Sequence, residues 1–333
     1  MRAELLPLAH RLRLEGHEVD AVVWRPRYEK AWGGHISKVA RHSDGTLHKD
    51  VLLPTVEAAR RGEVTVLTDV RRVAELFAGA AHLFPQVDLG VGRPIDRLLF
   101  GGWFDGEVVL APHLLVADQG AWMGGGGPAV LGGLTLIRVG DGLPGFVSGA
   151  AQAALERMKS VSFRGLFHFD VQEVPETGEL RLQGLAAGWP WLHTQAFAAE
   201  LESLGGALEG APALAHRFVT VLPVTVPPWP SEKRSAQADG VAVEGLTPQQ
   251  QGRCFWFDIQ VDTEARKLRT AGLDGLLCVA TGASDSTPAL ARMRALELAQ
   301  RLQVPEKQSR ADVGAQVDAV LATLEDRWGF VAA

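Results

Sequence analysis

Cysteine, tyrosine and lysine are scarce in this chain of 333 residues, and long apolar runs are absent from it. The two cysteines, Cys254 and Cys278, are too few and too far apart in sequence for a disulfide framework or a Cys-x-x-Cys metal site. No window holds the roughly eighteen consecutive apolar residues that a membrane-spanning helix needs. Residues 1–20 carry charges through their apolar positions, which excludes the continuous apolar segment of a signal peptide. These absences predict a cytoplasmic protein that does not span a membrane.

The shortage of lysine is uneven along the chain. There are 33 basic and 39 acidic residues, which gives a net charge of −6. Only seven of the basic residues are lysines, and none lies between Lys49 and Lys159. A net acidic chain without a basic run does not fit general binding to nucleic acid or to an anionic membrane surface. The expected partner is therefore a small-molecule substrate or another protein, and the sequence indicates no oligomeric state.

The length predicts two or three domains, at roughly 150 residues per domain. Apolar residues at helical spacing in residues 4–15 predict a helix that leads into a buried strand at residues 19–24. In a Rossmann-like unit a strand and a glycine-rich turn precede such a helix, but Met1 occupies the place where that turn is expected. Residues 1–60 are therefore predicted to form a partial Rossmann-like unit that lacks its first strand.

The rest of the chain is predicted to form a β-rich domain at residues 61–205 and a mixed α/β domain at residues 206–333. The predicted fold class is thus α/β (α+β). Strand patterns occur at residues 64–67, 108–110, 134–139, 219–226, 254–261 and 276–280, and a hairpin turn at residues 175–178. Helix patterns occur at residues 70–80, 147–159, 288–302 and about 313–325. Asp285, Ser286 or Thr287 can cap the helix that begins at Pro288.

Three short motifs are candidates for chemistry, and each also has a purely structural explanation. The backbone N–H groups of the run from Gly124 to Gly127 could approach an anion, or the run could be a hinge or lid without a ligand. His168 and Asp170 share one face of a strand and could ligate a metal or act as acid and base, but no third ligand is evident nearby. A solvent-facing or hydrogen-bonded pair is the favoured explanation. The turn at residues 281–287 could bind an anion at a helix N-terminus or only cap that helix.

Several segments, taken in order, resemble those of phosphoribosylamine–glycine ligase, the ATP-grasp enzyme of purine synthesis, and especially divergent forms that viruses carry. They are GWFDG at 102–106, GP at 127–128 with GG at 132–133, GLFHFD at 165–170, GVAVEGL at 240–246, TAGLDG at 270–275, VATGASDST at 279–287 and SRADVG at 309–314. The resemblance implies a reduced ATP-grasp-like architecture. It also implies that the substrate contacts Gly127, Pro128, Asp170, Asp285, Arg310 and Asp312, while no residue is assigned to catalysis.

The chain departs from this family where the metal is bound. With Gly188 and Pro190 as anchors, the family's magnesium-binding stretch E-F-N-A-R-F-G-D-P-E aligns Leu182 with its Glu and Gly184 with its Asn. Magnesium that bridges ATP phosphates needs one or two protein carboxylates, and neither of these residues can supply an oxygen from its side chain. The alignment therefore leaves no metal ligand.

The lysine gap lies in the same part of the chain. The family holds the nucleotide phosphates with lysines from a segment that corresponds to residues 50–158, and this segment contains none. Each lost charge-assisted contact is worth about 1.5–3 kcal/mol. Some could be replaced by arginines, for which the candidates are Arg71, Arg72, Arg93 and Arg97.

Three functions follow as hypotheses. The first is an ATP-dependent ligase that joins a carboxylate to an amine through an acyl phosphate, with ATP and Mg²⁺ as cofactors. The second is a pseudoenzyme, a catalytically silent ATP-grasp relative that acts as a binding or assembly module without a cofactor. The third is a sugar-nucleotide transferase, because residues 8–23 also resemble the opening helix and strand of such enzymes, although no second Rossmann unit is found.

Overall fold

The computed structural model describes residues 6–16, 18–23, 38–41, 63–67, 97–128, 130–140, 142–160, 163, 165–173, 177, 180–187, 191–208, 212–230, 238–262 and 267–332. Some sequence predictions lie outside these residues. They are the helix at 70–80, the arginines Arg71, Arg72 and Arg93, and the alignment anchors Gly188 and Pro190.

The N-terminal unit combines one helix with a small parallel sheet. Helix α1 (Leu6–Leu14) leads into β1 (Glu18–Val23), as the apolar spacing predicts. Strands β2 (Lys38–Arg41) and β3 (Glu63–Leu67) pair with β1 on either side, both in parallel. Leu8 and Leu12 lie one turn apart on α1 and are both buried. Strand β3 lies beyond residue 60 in sequence but belongs to this sheet.

A nine-stranded sheet forms the centre of the molecule, and all its described pairings are antiparallel. Its strands are β4 (Arg97–Phe104), β5 (Val109–Gln119), β6 (Leu131–Arg138), β7 (Gly165–Glu173), β8 (Leu180–Ala187), β9 (Phe218–Thr225), β11 (Cys254–Trp256), β14 (Leu276–Ser284) and β15 (Gln308–Ser309). The order is β11-β14-β9-β6-β5-β4-β7-β8, and β15 pairs with β9. The β6–β9 pairing joins strands from the two sides of residue 205 in one sheet.

A separate antiparallel sheet has the order β10-β13-β12, formed by β10 (Asp239–Val243), β12 (Ile259–Asp262) and β13 (Lys267–Ala271). The other helices are α2 (Gly145–Ser160), α3 (Trp191–Glu200), α4 (Leu204–Leu208), α5 (Pro248–Gln251), α6 (Pro288–Arg301) and α7 (Val317–Trp328). None of the helices in the described part of the chain is long and apolar enough to cross a membrane.

The two faces of the central sheet bury different sets of side chains, because successive residues of a strand point to opposite faces. One face carries Phe100 and Phe169 and packs against α2 and α7. The other carries Trp103 and Leu115 and packs against α1 and α3, where Trp103 stacks on Phe197 with ring centroids 6.1 Å apart. This mixed α/β architecture confirms the predicted fold class.

Two predicted element boundaries are wrong, and buried aspartates explain both. The predicted strand at 254–261 is broken into β11 and β12, which lie in different sheets. At the break the carboxylate of Asp258 is buried and accepts N–H bonds from Leu273, Asp274 and Gly275. The last helix begins at Val317 instead of 313, because Gly314 has φ 65° and donates its N–H to the Asp118 carboxylate at 2.7 Å.

Local capping defines α6 at both ends. Pro288 is in its first turn, and the Thr287 hydroxyl accepts the N–H of Leu290 at 3.1 Å, as the sequence predicts. At the C-terminal end, Lys307 Nζ donates to three backbone carbonyls, those of Ala299 at 2.7 Å, Gln300 at 3.0 Å and Leu302 at 2.6 Å. A cation is favourable there because unpaired carbonyls and the helix dipole give this end partial negative charge.

Replacement of this cation should destabilise the protein. We expect Lys307→Met, which keeps the length of the side chain, to lower the free energy of unfolding by about 1–3 kcal/mol through the loss of charge-assisted bonds to α6. Urea unfolding measures the change. Lys267→Met is the matched control, because Lys267 is exposed. An equal effect of the two variants would contradict this role of Lys307.

Candidate functional site

The glycine-rich segment that joins β5 to β6 is a hydrogen-bonded loop, here called the glycine loop (residues 120–130). The Gly120 N–H donates to the Val130 carbonyl at 2.9 Å, and the Trp122 N–H donates to the Gly126 carbonyl at 3.0 Å. Gly124 and Gly127 have φ values of 68° and 82°, which explains glycine at these positions. The loop is therefore held in one conformation by its own backbone bonds.

Arg310 and Asp312 hold this loop from the other end of the sequence. The Arg310 guanidinium donates to both oxygens of Asp312, from Nε at 2.7 Å and from Nη2 at 3.1 Å. Its Nη1 donates to the carbonyls of Gln119 and Gly120, the latter at 3.2 Å. The Gly124 N–H donates to Asp312 Oδ2 at 2.8 Å. We call this set of bonds the Arg310–Asp312 clamp.

The positive charge of Arg310 is paired with the negative charge of Asp312 within the clamp. Arg310 is only 7% exposed, so its charge needs a close partner. Partial burial raises the pKa of Asp312, but the hydrogen bonds from Arg310 and Gly124 outweigh this effect, and the pKa is lowered. Asp118, which sequence reasoning missed, lies with Oδ1 3.9 Å from Arg310 Nη2. Burial raises the pKa of Asp118 despite its bond from Gly314 and its attraction to Arg310.

A small cleft that opens to solvent lies beside the clamp, with enclosed space of about 10 Å³, room for about one water molecule. We call it the tryptophan cleft. Its main lining residues are Trp122 of the glycine loop, Thr225 of β9, Trp229, and the consecutive residues Gln308, Ser309 and Arg310. Trp122 is 58% exposed, whereas Trp229 and Thr225 are buried. The cleft thus combines indole rings with hydroxyl and amide groups.

The structure brings four of the six predicted substrate contacts together. The loop residues Gly127 and Pro128 lie in the segment that Arg310 and Asp312 hold. Asp285 is elsewhere: its carboxylate accepts the Arg217 N–H beside the start of β9, whereas Ser309 pairs with Val224 near the end of that strand. Six residues of strand separate these points by about 20 Å.

Asp170 is also distant from the clamp. It pairs with Leu99 on β4, so that two strand spacings of about 4.8 Å each separate it from β5. The turn at residues 281–287 caps α6 through Thr287, and Ser284 Oγ accepts the N–H groups of Ser286 and Thr287. The Thr281 hydroxyl donates to the Arg253 carbonyl at 2.9 Å, so capping and bonds to neighbouring strands account for these polar residues.

The positions aligned with the family's magnesium ligands do not fit a metal ion. Leu182 is opposite Val171, and Gly184 is opposite Asp170. A register shift lies between these two pairs, so positions 182 and 184 are not a regular pair of neighbouring positions along the strand. Glycine has no side chain to contribute. Across the described residues, no group of three or more His, Cys, Asp or Glu side chains could hold a metal ion.

Three histidines converge on the face of the sheet that carries Asp170. His113 and His168 both lie opposite Gly101, and His193 of α3 packs over them. His113 Nε2 and His193 Nε2 are 2.6 Å apart. A Cβ atom on Gly101 would lie 2.5 Å from His113 Nε2, so only glycine leaves room for this histidine cluster. Sequence reasoning identified His168 but not its two neighbours.

The hydrogen bonds of the cluster indicate three neutral rings. His113 Nδ1 is 2.8 Å from the Ala111 carbonyl and must carry a proton there, so its Nε2 accepts the Nε2–H of His193. Burial lowers the pKa of His113 to about 3 and that of His168 to about 4. Burial, with the neighbouring histidines, also lowers the pKa of His193 far below its usual range.

Glu200, at the end of α3, carries a buried carboxyl whose pKa is raised, whereas the pKa values of the buried histidines are lowered. Glu200 Oε2 accepts the His216 N–H at 2.6 Å, and Oε1 lies 3.4 Å from His216 Nδ1. Burial, reinforced by Asp285, raises the pKa of Glu200 to about 8 despite the bond from His216 and the attraction of Arg138. The folded protein therefore favours the protonated carboxyl at neutral pH.

A carboxyl with a raised pKa contributes stability below the pKa of the unfolded chain, 4.5, and loses it as the pH rises towards 8. Glu200→Gln keeps the shape and removes the titration. We expect the variant to match the wild type near pH 5 and to exceed its free energy of unfolding by up to about 4 kcal/mol at pH 8.5. Urea unfolding at both pH values measures this. The exposed Glu202→Gln is the control, and a difference independent of pH would contradict the prediction.

Comparison with known proteins gives a match at the level of the fold. No family model matches the chain, and no curated protein sequence matches it. Solved structures do: urea amidolyase from K. lactis (TM-score 0.53, 10% identity, 99% of this chain and 22% of that chain) and pyruvate carboxylase from Rhizobium etli (TM-score 0.52, 11% identity, 96% and 37%). Phosphoribosylamine–glycine ligase from Thermotoga maritima has a TM-score of 0.49 at 15% identity, with 66% of this chain and 55% of that chain covered.

These comparisons define a class of fold. The chain has an ATP-grasp type of fold. It spans 22%, 37% and 55% of the lengths of the three solved structures. The match concerns the architecture alone, because all identities are 15% or lower.

Proposed function

We propose that the chain is a ligand-binding relative of phosphoribosylamine–glycine ligase. It keeps the substrate side of an ATP-grasp carboxylate–amine ligase and binds a small molecule on the surface of the glycine loop beside the tryptophan cleft, without Mg²⁺ and ATP. The observation that carries this proposal is the Arg310–Asp312 clamp on the glycine loop. The sequence resemblance assigns residues of both segments to the substrate, and Trp122 of the loop and Arg310 of the clamp line the neighbouring cleft.

The clamp favours binding because it fixes the loop before a ligand arrives. A loop that is already ordered by Asp312 and by its own backbone bonds loses little conformational entropy when it contacts a ligand. The positions aligned with the magnesium ligands give no comparable support to nucleotide binding. Positions 182 and 184 hold leucine and glycine, and neither residue type can coordinate magnesium through its side chain.

A second candidate function is an active ATP-dependent ligase of the same type. It is favoured by the ATP-grasp architecture and by the bonds that join the glycine loop, which contains Gly127 and Pro128, to Arg310 and Asp312. This function needs magnesium ligands other than residues 182 and 184, and arginines such as Arg97 in place of the missing lysines.

Thermal unfolding with added ligands separates the two functions. For ligand binding without nucleotide, we expect no rise in Tm with millimolar Mg²⁺ and ATP, and a rise with a small molecule that binds the glycine loop. Saturation at a hundredfold excess over Kd adds about 2.7 kcal/mol of stability. The probes are glycine, ribose 5-phosphate and adenosine. ADP release with Mg²⁺, ATP, glycine and phosphoribosylamine would establish the ligase and overturn the first proposal.

A pair of variants locates the binding. Asp312→Asn removes the charge that pairs with Arg310, and it should weaken binding of any probe that raises Tm because the glycine loop is then held less firmly. Asp318→Asn is the matched control, since Asp318 is exposed on α7. If both variants bind the probe like the wild type, the ligand does not depend on the clamp and the proposed site is wrong.

A further inference from the structure

We propose that Arg253 and Arg294 form a binding site for the phosphate group of a small phosphate monoester, at the edge of the central sheet. The inference goes beyond the proposed function, because this site lies apart from the glycine loop. Strand β9 lies between β14, which carries the site, and β6, which follows the loop. About two strand spacings of 4.8 Å therefore separate the two places.

Arg253 is held at this edge by the backbone of Thr281. The Arg253 carbonyl accepts the N–H of Thr281 at 3.1 Å and its hydroxyl at 2.9 Å. In return, Arg253 Nη2 donates to the Thr281 carbonyl at 3.2 Å. Arg253 immediately precedes β11, which is the last strand of the sheet on this side. Its guanidinium therefore lies along the outer edge of β14, next to Thr281.

Arg294 reaches the same edge from α6, where its Nη1 donates to the Ala283 carbonyl at 2.5 Å. Thr281 and Ala283 are two residues apart in β14, so their carbonyls point to the same edge and are about 7 Å apart. Gly282 lies between them. A Cβ atom on Gly282 would be 3.0 Å from the backbone carbonyl carbon of Arg294, so the helix packs directly on this part of the strand. The close packing fixes the position from which the Arg294 side chain extends.

The positive charges of Arg253 and Arg294 lie near each other without a carboxylate partner. Partial burial, together with the charge of Arg294, lowers the pKa of Arg253 despite the opposing effects of Cys254 and Glu297. In the part of the chain that the structure describes, neither arginine forms an ion pair. Glu297 of α6 accepts a bond from Arg301 at 2.6 Å instead. Because the two like charges repel each other, an anion between them is favourable.

The donors and the charge of this arginine pair fit a phosphate monoester. A guanidinium has five N–H groups, and each of the two uses one of them on a carbonyl of β14. Guanidiniums fixed on carbonyls about 7 Å apart can donate to different oxygens of one tetrahedral phosphate, across bonds of about 2.8 Å. A monoester carries a charge of about −1.5 to −2 at pH 7, which balances two arginines. The net charge of −6 disfavours a long polyanion such as a nucleic acid.

Calorimetry on the full chain tests this site, with inorganic phosphate and glycerol 3-phosphate as the probes. We expect saturable binding of both probes, and Arg253→Gln and Arg294→Gln should each weaken it about tenfold or more, because each removes charge-assisted bonds. Both arginines are exposed, so the variants should keep the Tm of the wild type. Arg269→Gln is the matched control, because Arg269 also donates to a backbone carbonyl but is paired with Asp262.

Four outcomes would overturn the inference. The first is the absence of saturable binding of either probe. The second is binding of acetate or glycerol as tight as that of glycerol 3-phosphate, since the site would then not select phosphate. The third is an equal loss of binding in Arg269→Gln, which would indicate a general effect of net charge. The fourth is binding that Asp312→Asn weakens and both arginine variants leave unchanged, which would place the phosphate at the glycine loop and support the proposed function alone.

Discussion

The free energy of unfolding should fall by about 3–5 kcal/mol between pH 6.5 and pH 4.5, because burial keeps the histidine cluster neutral and lowers the pKa of His10 to about 4. The unfolded chain protonates His113, His168 and His193 near pH 6.5, whereas burial lowers the pKa of His113 to about 3 and that of His168 to about 4 in the folded protein. Below pH 6.5 the unfolded state therefore binds more protons. Stability is fully present above this pH and is lost as the pH falls towards 4.

Two carboxyls oppose this loss. Burial raises the pKa of Glu200 to about 8 and that of Asp258 to about 6, so both gain stability as the pH falls. Each pKa unit corresponds to about 1.4 kcal/mol, and the four histidines outweigh two carboxyls over this interval. Glu200→Gln removes one opposing group. The variant should therefore lose more stability than the wild type over the same pH range.

Urea unfolding at pH 6.5, 5.5 and 4.5 provides the measurement. The quantity to compare is the slope of the unfolding free energy against pH, because a substitution in the cluster also changes the absolute stability. His168→Gln should give a shallower slope, since one of the titrating rings is then absent. A profile that is flat or rises towards pH 4.5 in the wild type would show that the cluster is not buried as described.

Gly282→Ala should lower the free energy of unfolding by about 3 kcal/mol or more. A Cβ atom at this position would lie 2.1 Å from the Ala291 carbonyl oxygen and 2.4 Å from the Ala295 nitrogen. These are backbone atoms of α6, which cannot move aside as a flexible side chain can. The helix would have to shift away from β14, and such overpacking costs about 1–3 kcal/mol or more.

A second glycine gives a control of opposite sign. Gly149 is exposed in the middle of α2, and a Cβ atom there would meet nothing within 4 Å. Gly149→Ala should therefore raise the free energy of unfolding by about 0.5–1 kcal/mol, since alanine loses less backbone entropy in a helix. Urea unfolding of both variants checks the pair. A Gly282→Ala protein as stable as the wild type would mean that α6 does not approach β14 so closely.

Local features of the fold could be predicted from the sequence because they depend on neighbouring residues. Thr287 and Pro288 begin α6 as predicted, since capping and a fixed φ act within one turn of the chain. The hairpin of β7 and β8 follows from two apolar segments around a short turn. The prediction was wrong at residues 257–258 and at 313–316. There Asp258 and Asp118 accept N–H groups from distant segments, and no local pattern reveals such bonds.

The candidate site was predictable only in part. The motifs around Gly127 and around Arg310 are visible in the sequence, but their contact spans 188 residues between Gly124 and Asp312. No sequence pattern marked Asp118 or Trp229 as part of the candidate site. A lone aspartate in an apolar strand and a tryptophan among prolines are compatible with many roles, and only their surroundings select one.

The sequence by itself determined the scarcity of lysine and cysteine, the mixture of helices and strands, and residues at 182 and 184 whose side chains cannot coordinate magnesium. Tertiary structure decided which residues meet. It placed Cys254 and Cys278, separated by more than twenty residues, diagonally on adjacent strands, where a hydrogen bond between the thiols and burial raise the pKa of Cys278. It also gathered three histidines over Gly101. The physical reason is that antiparallel pairing fixes neighbours through register across the sheet, and register is set by the packing of the whole core.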